Sequence, residues 1–170
     1  MISGGNDDLV FLYDIRKMKE IFKIKEHKAA VKALAWSNYK SNLFVSGGGS
    51  VDRNVCLWDS HQMKLINKMT KESQICNLDY TCDGLIVASQ GFPLNQIEIF
   101  DPNTLRTIEI FKGHSKRVLF MTTNNRKDVV VTASPDNTVR YWNVKNLKSD
   151  SNRLVCKEEL DLNAGGFLLR

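Results

Sequence analysis

The sequence is sparing with the residues that build metal and catalytic centres. It has four cysteines, Cys56, Cys76, Cys82 and Cys156, and no two form a Cys-x-x-Cys pair. A structural zinc site needs its ligands in close pairs, so no metal is expected. Three of the four thiols stand among apolar neighbours, which reads as reduced cysteine in the cytosol or nucleus. The sequence has no phosphate-binding glycine loop, no Gly-x-Ser-x-Gly elbow and no His-Glu-x-x-His pair. No cofactor is expected either. It also lacks the run of about eighteen apolar residues that a membrane helix requires. The opening MISGGNDDLV has no basic segment followed by a long apolar one, so no secretory leader is read. No ten-residue stretch carries apolar residues at helical spacing, and very little helix is expected.

What is present suits one folded domain. Of 170 residues, 42% are hydrophobic and 25% are charged, enough for a sizeable core. The formal charge is +5, from 24 Lys and Arg against 19 Asp and Glu. The cations are mostly single or paired, as in Arg16-Lys17 and Lys116-Arg117. Nucleic-acid binding would want a basic stripe with aromatics between, so neither a nucleic-acid nor a membrane partner is expected.

The stretch SGGGSVDRNVCLWD, Ser46 to Asp59, has relatives elsewhere in the chain: LVFLYD ending at Asp14, QIEIFD ending at Asp101 and TVRYWN ending at Asn143. The closing residues Asp14, Asp59, Asp101 and Asn143 are 45, 42 and 42 apart. A period of about 40–45 that ends in an aromatic and an acid is the signature of WD repeats, each a four-stranded propeller blade. The fold expected is therefore all-β, an incomplete WD-repeat propeller of about three and a half blades. The second unit offers strands at Ala29–Trp36, Asn42–Ser46, Asn54–Trp58 and Lys64–Met69; the third offers SQICNLDY, GLIVAS, NQIEIF and TIEIF; the last offers KRVLFMTT, DVVVTAS and NTVRYW. Boundaries follow: the end of a blade at 1–25, blades at 26–70, 71–112 and 113–147, and a tail at 148–170.

The recurring polar residues gain a structural role. His27, Ser46, Asp52 and Trp58 form one set; His114, Thr132, Asp136 and Trp142 form another. An imidazole can bond a carboxylate at one nitrogen and a hydroxyl at the other, and a buried indole N–H needs an acceptor. A His, Asp and Ser together invite a hydrolase reading, but a trio that recurs at the repeat period is a structural tetrad. The chain is not expected to be an enzyme. A ring needs about four to eight blades, so the chain is expected to be the C-terminal part of a longer protein or a truncated gene model.

Several stretches go beyond what a WD repeat demands: SGGND (Ser3–Asp7), EHKAAVKALAW (Glu26–Trp36), SGGGSVDRNVCLWD, SQICNLDY (Ser73–Tyr80), NQIEIFD (Asn95–Asp101) and GHSKRVLF (Gly113–Phe120). In order and wording they resemble the Fizzy family of activators of the anaphase-promoting complex. The resemblance implies a substrate receptor that performs no chemistry. It binds degradation motifs of cell-cycle proteins and presents them to a ubiquitin ligase, with checkpoint inhibitors as further partners, in nucleus and cytoplasm. It implies a Lys-Glu-Asn motif site at Asn6, Asp8, Ser50, Gln74 and Arg117. The chemistry agrees: Arg117 offers forked donors to a ligand Glu, Asn6 and Asp8 offer oxygens to a ligand Lys, and Gln74 and Ser50 suit a ligand Asn. In an antiparallel blade, second-to-third-strand turns and first-strand starts fall at one end, so the five share a face.

The resemblance also implies a destruction-box contact at Asp136 and Asn137, where Asn137 replaces a family acid. The middle unit departs from the repeat, with Phe92-Pro93-Leu94 in place of the turn Asp and Phe100 in place of Trp. The family ends in Ile-Arg, a ligase-docking tail, and this chain ends in Leu169-Arg170. The competing reading is a WD-repeat interaction scaffold of another pathway.

Overall fold

The computed structural model describes residues 1–147 and the backbone of Lys157–Asp161. These hold fifteen strands and no helix, in four antiparallel sheets. The first sheet is β1 (Ile2–Gly4), β2 (Val10–Asp14) and β3 (Lys19–Ile24). The second is β4 (Val31–Trp36), β5 (Leu43–Gly48), β6 (Asn54–Asp59) and β7 (Lys64–Thr70). The third is β8 (Ile75–Tyr80), β9 (Ile86–Gln90), β10 (Ile97–Phe100) and β11 (Thr107–Phe111). The fourth is β12 (Phe120–Thr123), β13 (Val129–Ser134), β14 (Thr138–Asn143) and β15 (Lys157–Asp161). Each is a meander in chain order.

The core lies between sheets. Side chains alternate along a strand, so each sheet has two faces to bury. Val45, Val55 and Leu57 join Ile75, Leu78, Tyr80 and Ile86 of the third sheet. Their neighbours Phe44, Cys56 and Trp58 point the other way, to Val10 and Ile24 of the first sheet. Leu85, Val87, Ile97 and Ile99 meet Val118, Val130 and Trp142 of the fourth. A sheet covered on both sides should read as a continuous apolar run. Every residue of β5, β6, β9 and β10 is indeed buried, whereas β2 and β13, in the end sheets, mix buried and half-buried positions.

Turn chemistry sets the repeat. The four residues at or just after the ends of β2, β6, β10 and β14 accept backbone N–H bonds at the next turn. Asp14 Oδ1 takes Arg16 N at 2.9 Å, Asp59 Oδ1 takes His61 N at 2.8 Å, Asp101 Oδ1 takes Thr104 N at 2.8 Å and Asn143 Oδ1 takes Lys145 N at 3.1 Å. A short side-chain acceptor capping its own turn is why an Asp or Asn follows the aromatic in every unit.

Two expectations change. The strand read from Lys116 begins at Phe120, because the Val118 N–H is taken by the Gln90 carbonyl of the neighbouring sheet at 3.2 Å. And the segment 148–170, read as a tail, supplies β15, which pairs with β14 from Trp142–Lys157 to Thr138–Asp161.

Candidate functional site

In the three four-stranded sheets the turn between second and third strands and the entry to the first strand lie at one end, and the β1–β2 turn of the first sheet takes the same place. Direct bonds tie them: Gly49 N donates to Ala30 O at 2.9 Å, and Gly91 N donates to Gln74 O at 3.1 Å. Between sheets, Val31 N donates to Gly5 O at 3.0 Å. One end of the array is thus a continuous rim of turns and entries.

The tetrads hold this rim rigid. His27 Nδ1 lies 2.5 Å from Asp52 Oδ2, and its Nε2 lies 2.6 Å from Ser46 Oγ. Trp58 Nε1 donates to the same Ser46 Oγ at 2.8 Å. The fourth sheet repeats the order: His114 Nδ1 to Asp136 Oδ2 at 2.9 Å, Nε2 to Thr132 Oγ1 at 2.9 Å, and Trp142 Nε1 to Thr132 Oγ1 at 2.8 Å. The two histidines are buried. Burial would raise the Asp52 carboxyl, but bonds from His27, the Lys28 amide and Asn54 outweigh it and hold its pKa below the usual carboxylate value. Asp136 is likewise lifted by burial, yet bonds from Thr138, His114 and Ser115 pull it well below that value. Hydroxyl, imidazole and carboxylate are all occupied within the fold, so neither set resembles an open nucleophile site.

Glycine at Gly47 and Gly48 follows from close approach. A Cβ on Gly47 would sit 2.5 Å from Ile75 Cγ2, and one on Gly48 would sit 1.9 Å from Asp52 Oδ2. The first lets two sheets meet; the second leaves room for the tetrad carboxylate.

The third sheet shows a residue set that sequence reasoning missed. Val31 pairs with Gly48 and Ile75 pairs with Gln90, which puts Lys71 at the place of His27. By the same register Ala88 stands for Ser46, Phe100 for Trp58 and Glu98 for Cys56. Lys71 Nζ is 2.8 Å from Glu98 Oε1 and 4.0 Å from the centre of the Phe100 ring. Gln90 Nε2 and Thr107 Oγ1 also donate to the Glu98 carboxylate. The signal was a Glu inside the otherwise apolar β10 and a Lys just after β7, neighbours visible only once the register is known.

Of the proposed motif residues, Asn6 and Asp8 lie on the β1–β2 turn, Ser50 on the β5–β6 turn, Gln74 before β8 and Arg117 before β12. All five are on the rim end. Gln74 and Arg117 both act on one thiol: Gln74 Nε2 lies 3.2 Å from Cys76 Sγ, and the Arg117 charge favours its ionised form. Burial raises the Cys76 pKa, against the Gln74 bond and the pull of Arg117 and Lys32. Lys32 was not singled out from the sequence, yet its charge also reaches that thiol. Among the described residues no hydrogen bond or ion pair joins Asn6, Asp8 or Ser50 to either of them. Asp136 has both oxygens committed, Oδ2 to His114 and Ser115 N and Oδ1 to Thr138, while Asn137 is exposed. Leu169, Arg170 and Cys156 lie outside the residues whose side chains are described.

The family model "WD domain, G-beta repeat" matches residues 18–59 and 105–143. Each matched stretch runs from the outer strand of one sheet through the third strand of the next, and the unit with the replaced tetrad falls between them. The "APC/C activator protein CDH1" of Saccharomyces cerevisiae is 38% identical over 143 residues, 84% of this chain and 25% of that protein. "Protein FIZZY-RELATED 3" of Arabidopsis thaliana is 36% identical over 145 residues, 85% of this chain and 30% of the relative. "Meiotic fizzy-related protein 1" of Schizosaccharomyces pombe is 34% identical over 149 residues, 87% of this chain and 35% of the relative. The chain thus spans about a third or less of the length of these curated relatives. Among solved structures, a chain of the "Crystal Structure of Mitotic Checkpoint Complex" superposes with a TM-score of 0.78 at 30% identity, covering 84% of this chain and 45% of that one.

Proposed function

Since this chain consists of WD repeats of the Fizzy type, we propose that it is a substrate-recognition part of an anaphase-promoting-complex activator. It binds degradation motifs of cell-cycle proteins on the rim and performs no chemistry. Its partners are subunits of the ligase, degron-bearing proteins and checkpoint inhibitors, and it works in nucleus and cytoplasm. The terminal Leu169-Arg170 docks on the ligase.

The observation that carries this reading is the rim itself. Asn6, Asp8, Ser50, Gln74 and Arg117 come from all four sheets and share one end. Arg117 enters no salt bridge among the described residues, so its guanidinium is open to a ligand carboxylate. Asn6 and Ser50 are exposed. Asp136 favours a structural over a ligand-binding role, and the destruction-box contact would rest on Asn137.

The test is titration of a fluorescent Lys-Glu-Asn peptide into the chain. Binding should exceed that of the scrambled peptide and should fall at least tenfold with Arg117→Ala, since a charge-assisted pair contributes about 1.5–3 kcal/mol. Equal binding of the scrambled peptide, or indifference to Arg117→Ala, would remove the site.

A further inference from the structure

We propose that a groove beside Arg117 receives an apolar side chain carried on an acidic peptide segment of the protein partner. This rests on the reading of Arg117 as the anchor for a ligand carboxylate, and it adds a second anchor point to that site.

The groove lies between the β9–β10 turn and the entry to β12. Its walls are Phe92 and Asn95 on one side and Ser115, Arg117, Leu119 and Pro135 on the other, around a volume of about 420 Å³. Phe92 is 73% exposed and Leu119 is 38% exposed. Neither belongs to the clusters that hold the sheets together. An aromatic ring left in water on a turn, outside every core cluster, suggests a partner surface.

The walls are already fixed. Asn95 Nδ2 donates to Ser115 O at 3.2 Å across the groove, and Ser134 Oγ donates to Lys116 O at 3.0 Å behind it. Little ordering would be needed on binding. The Asn95 Oδ1 atom is buried without a partner among the described residues. An extended peptide carries backbone N–H groups that could satisfy such an acceptor.

Charge selects the occupant. Lys116 borders the groove with Arg117, and neither is in a salt bridge among the described residues. Lys116 Nζ makes only a 3.3 Å bond to the Pro135 carbonyl. No carboxylate is among the described residues that line the groove. The adjacent Asp136 is fully taken up by His114, Ser115 and Thr138. An apolar floor with two cations and no anion fits an apolar side chain flanked by Asp or Glu.

The test uses the full chain and a set of fluorescent peptides. Each carries Lys-Glu-Asn in a Gly, Ser and Asp background, with one Leu moved through every flanking position; a Ser at the same place is the control. At one or two positions Leu should tighten binding roughly tenfold, as expected for a partly buried aliphatic side chain. In Phe92→Ala that Leu-to-Ser ratio should drop to about one. In Tyr39→Ala, an exposed ring at the opposite end, it should persist. If no position gains, or the gain survives both Phe92→Ala and Leu119→Ser, the groove is not used, and the Lys-Glu-Asn reading stands. If Lys-Glu-Asn binds no better than its scramble, that reading falls. The Leu scan on the scrambled background then decides the groove: a gain that Phe92→Ala abolishes supports it, and no gain overturns it.

Discussion

Lys71 and Glu98 form an ion pair 2.8 Å long with side chains 9% and 6% exposed, at places where the second sheet has His27 and Cys56. The cation also faces Phe100, which stands where Trp58 stands. The polar link of this blade has been rebuilt from different residues, a cation and a carboxylate in place of imidazole, hydroxyl and indole.

A buried ion pair is costly to break and cheap to replace. Removing one partner leaves a charge without solvent and typically costs about 3–5 kcal/mol. Glu98→Leu alone and Lys71→Met alone should each lower the urea unfolding midpoint strongly. The double variant should lose much less than the sum, because no orphan charge remains. Additive losses in the double variant would show that the two side chains do not act as a pair.

Ser46 is the shared partner of an indole and an imidazole. Ser46→Ala would strand both Trp58 Nε1 and His27 Nε2, in residues that are each 4% exposed. Each unsatisfied buried group costs about 1–3 kcal/mol. Trp58→Phe, by contrast, leaves the Ser46–His27 bond in place. Ser46→Thr should retain the network, since Thr132 does the same work in the fourth sheet. The order of stability expected in thermal melts is wild type, Ser46→Thr, then Ser46→Ala. A Thr variant as unstable as the Ala variant would show that the cavity, not the bond, decides.

How much of this could be read in advance depended on the kind of residue. The aromatic-Asp endings gave away the period because the turn they cap is chemically narrow: Asp14, Asp59, Asp101 and Asn143 all accept amide bonds one turn on. His and Trp at fixed places were equally legible, since few arrangements satisfy both when buried. Lys71 and Glu98 were not, because a Lys and a Glu far apart in sequence look like surface residues until register makes them neighbours. The strand at Lys157–Asp161 was hidden by its polar, charged sequence, which shows no apolar alternation. The rim placement of the motif residues was legible from strand order alone. The groove beside them was not, since it forms between turns of two different sheets.

Acid should unfold this protein through its tetrads. Asp52 and Asp136 have folded-state pKa values lower than usual, Asp136 the more so. A depressed carboxylate contributes its full stabilisation above the unfolded value of about 3.9 and loses it as pH falls through the folded value. The urea midpoint should therefore be flat near neutrality and decline below about pH 4. Asp136→Asn should start less stable at pH 7 and decline less on acidification. A variant curve parallel to that of the wild type down to pH 3 would mean the carboxylate shift contributes nothing.

The last prediction separates a backbone role from a ligand role at one residue. Asp8, Arg53, Asn95 and Asn137 hold the same place in the four turns, with φ of 66°, 54°, 50° and 63°. That left-handed conformation suits Gly, Asn and Asp, and costs other residues roughly 1–2 kcal/mol. Asn137→Val should thus lower stability by about that amount, and Asn137→Gly should change it little. At Asp8 the same logic gives a test of the motif site. Asp8→Gly keeps the turn and removes the oxygen offered to a ligand Lys; Asp8→Asn keeps both turn and oxygen. If Asp8 only shapes the turn, both variants should melt and bind the Lys-Glu-Asn peptide like the wild type. If it also binds, Asp8→Gly should weaken the peptide severalfold at an unchanged melting midpoint, and Asp8→Asn should recover most of the loss.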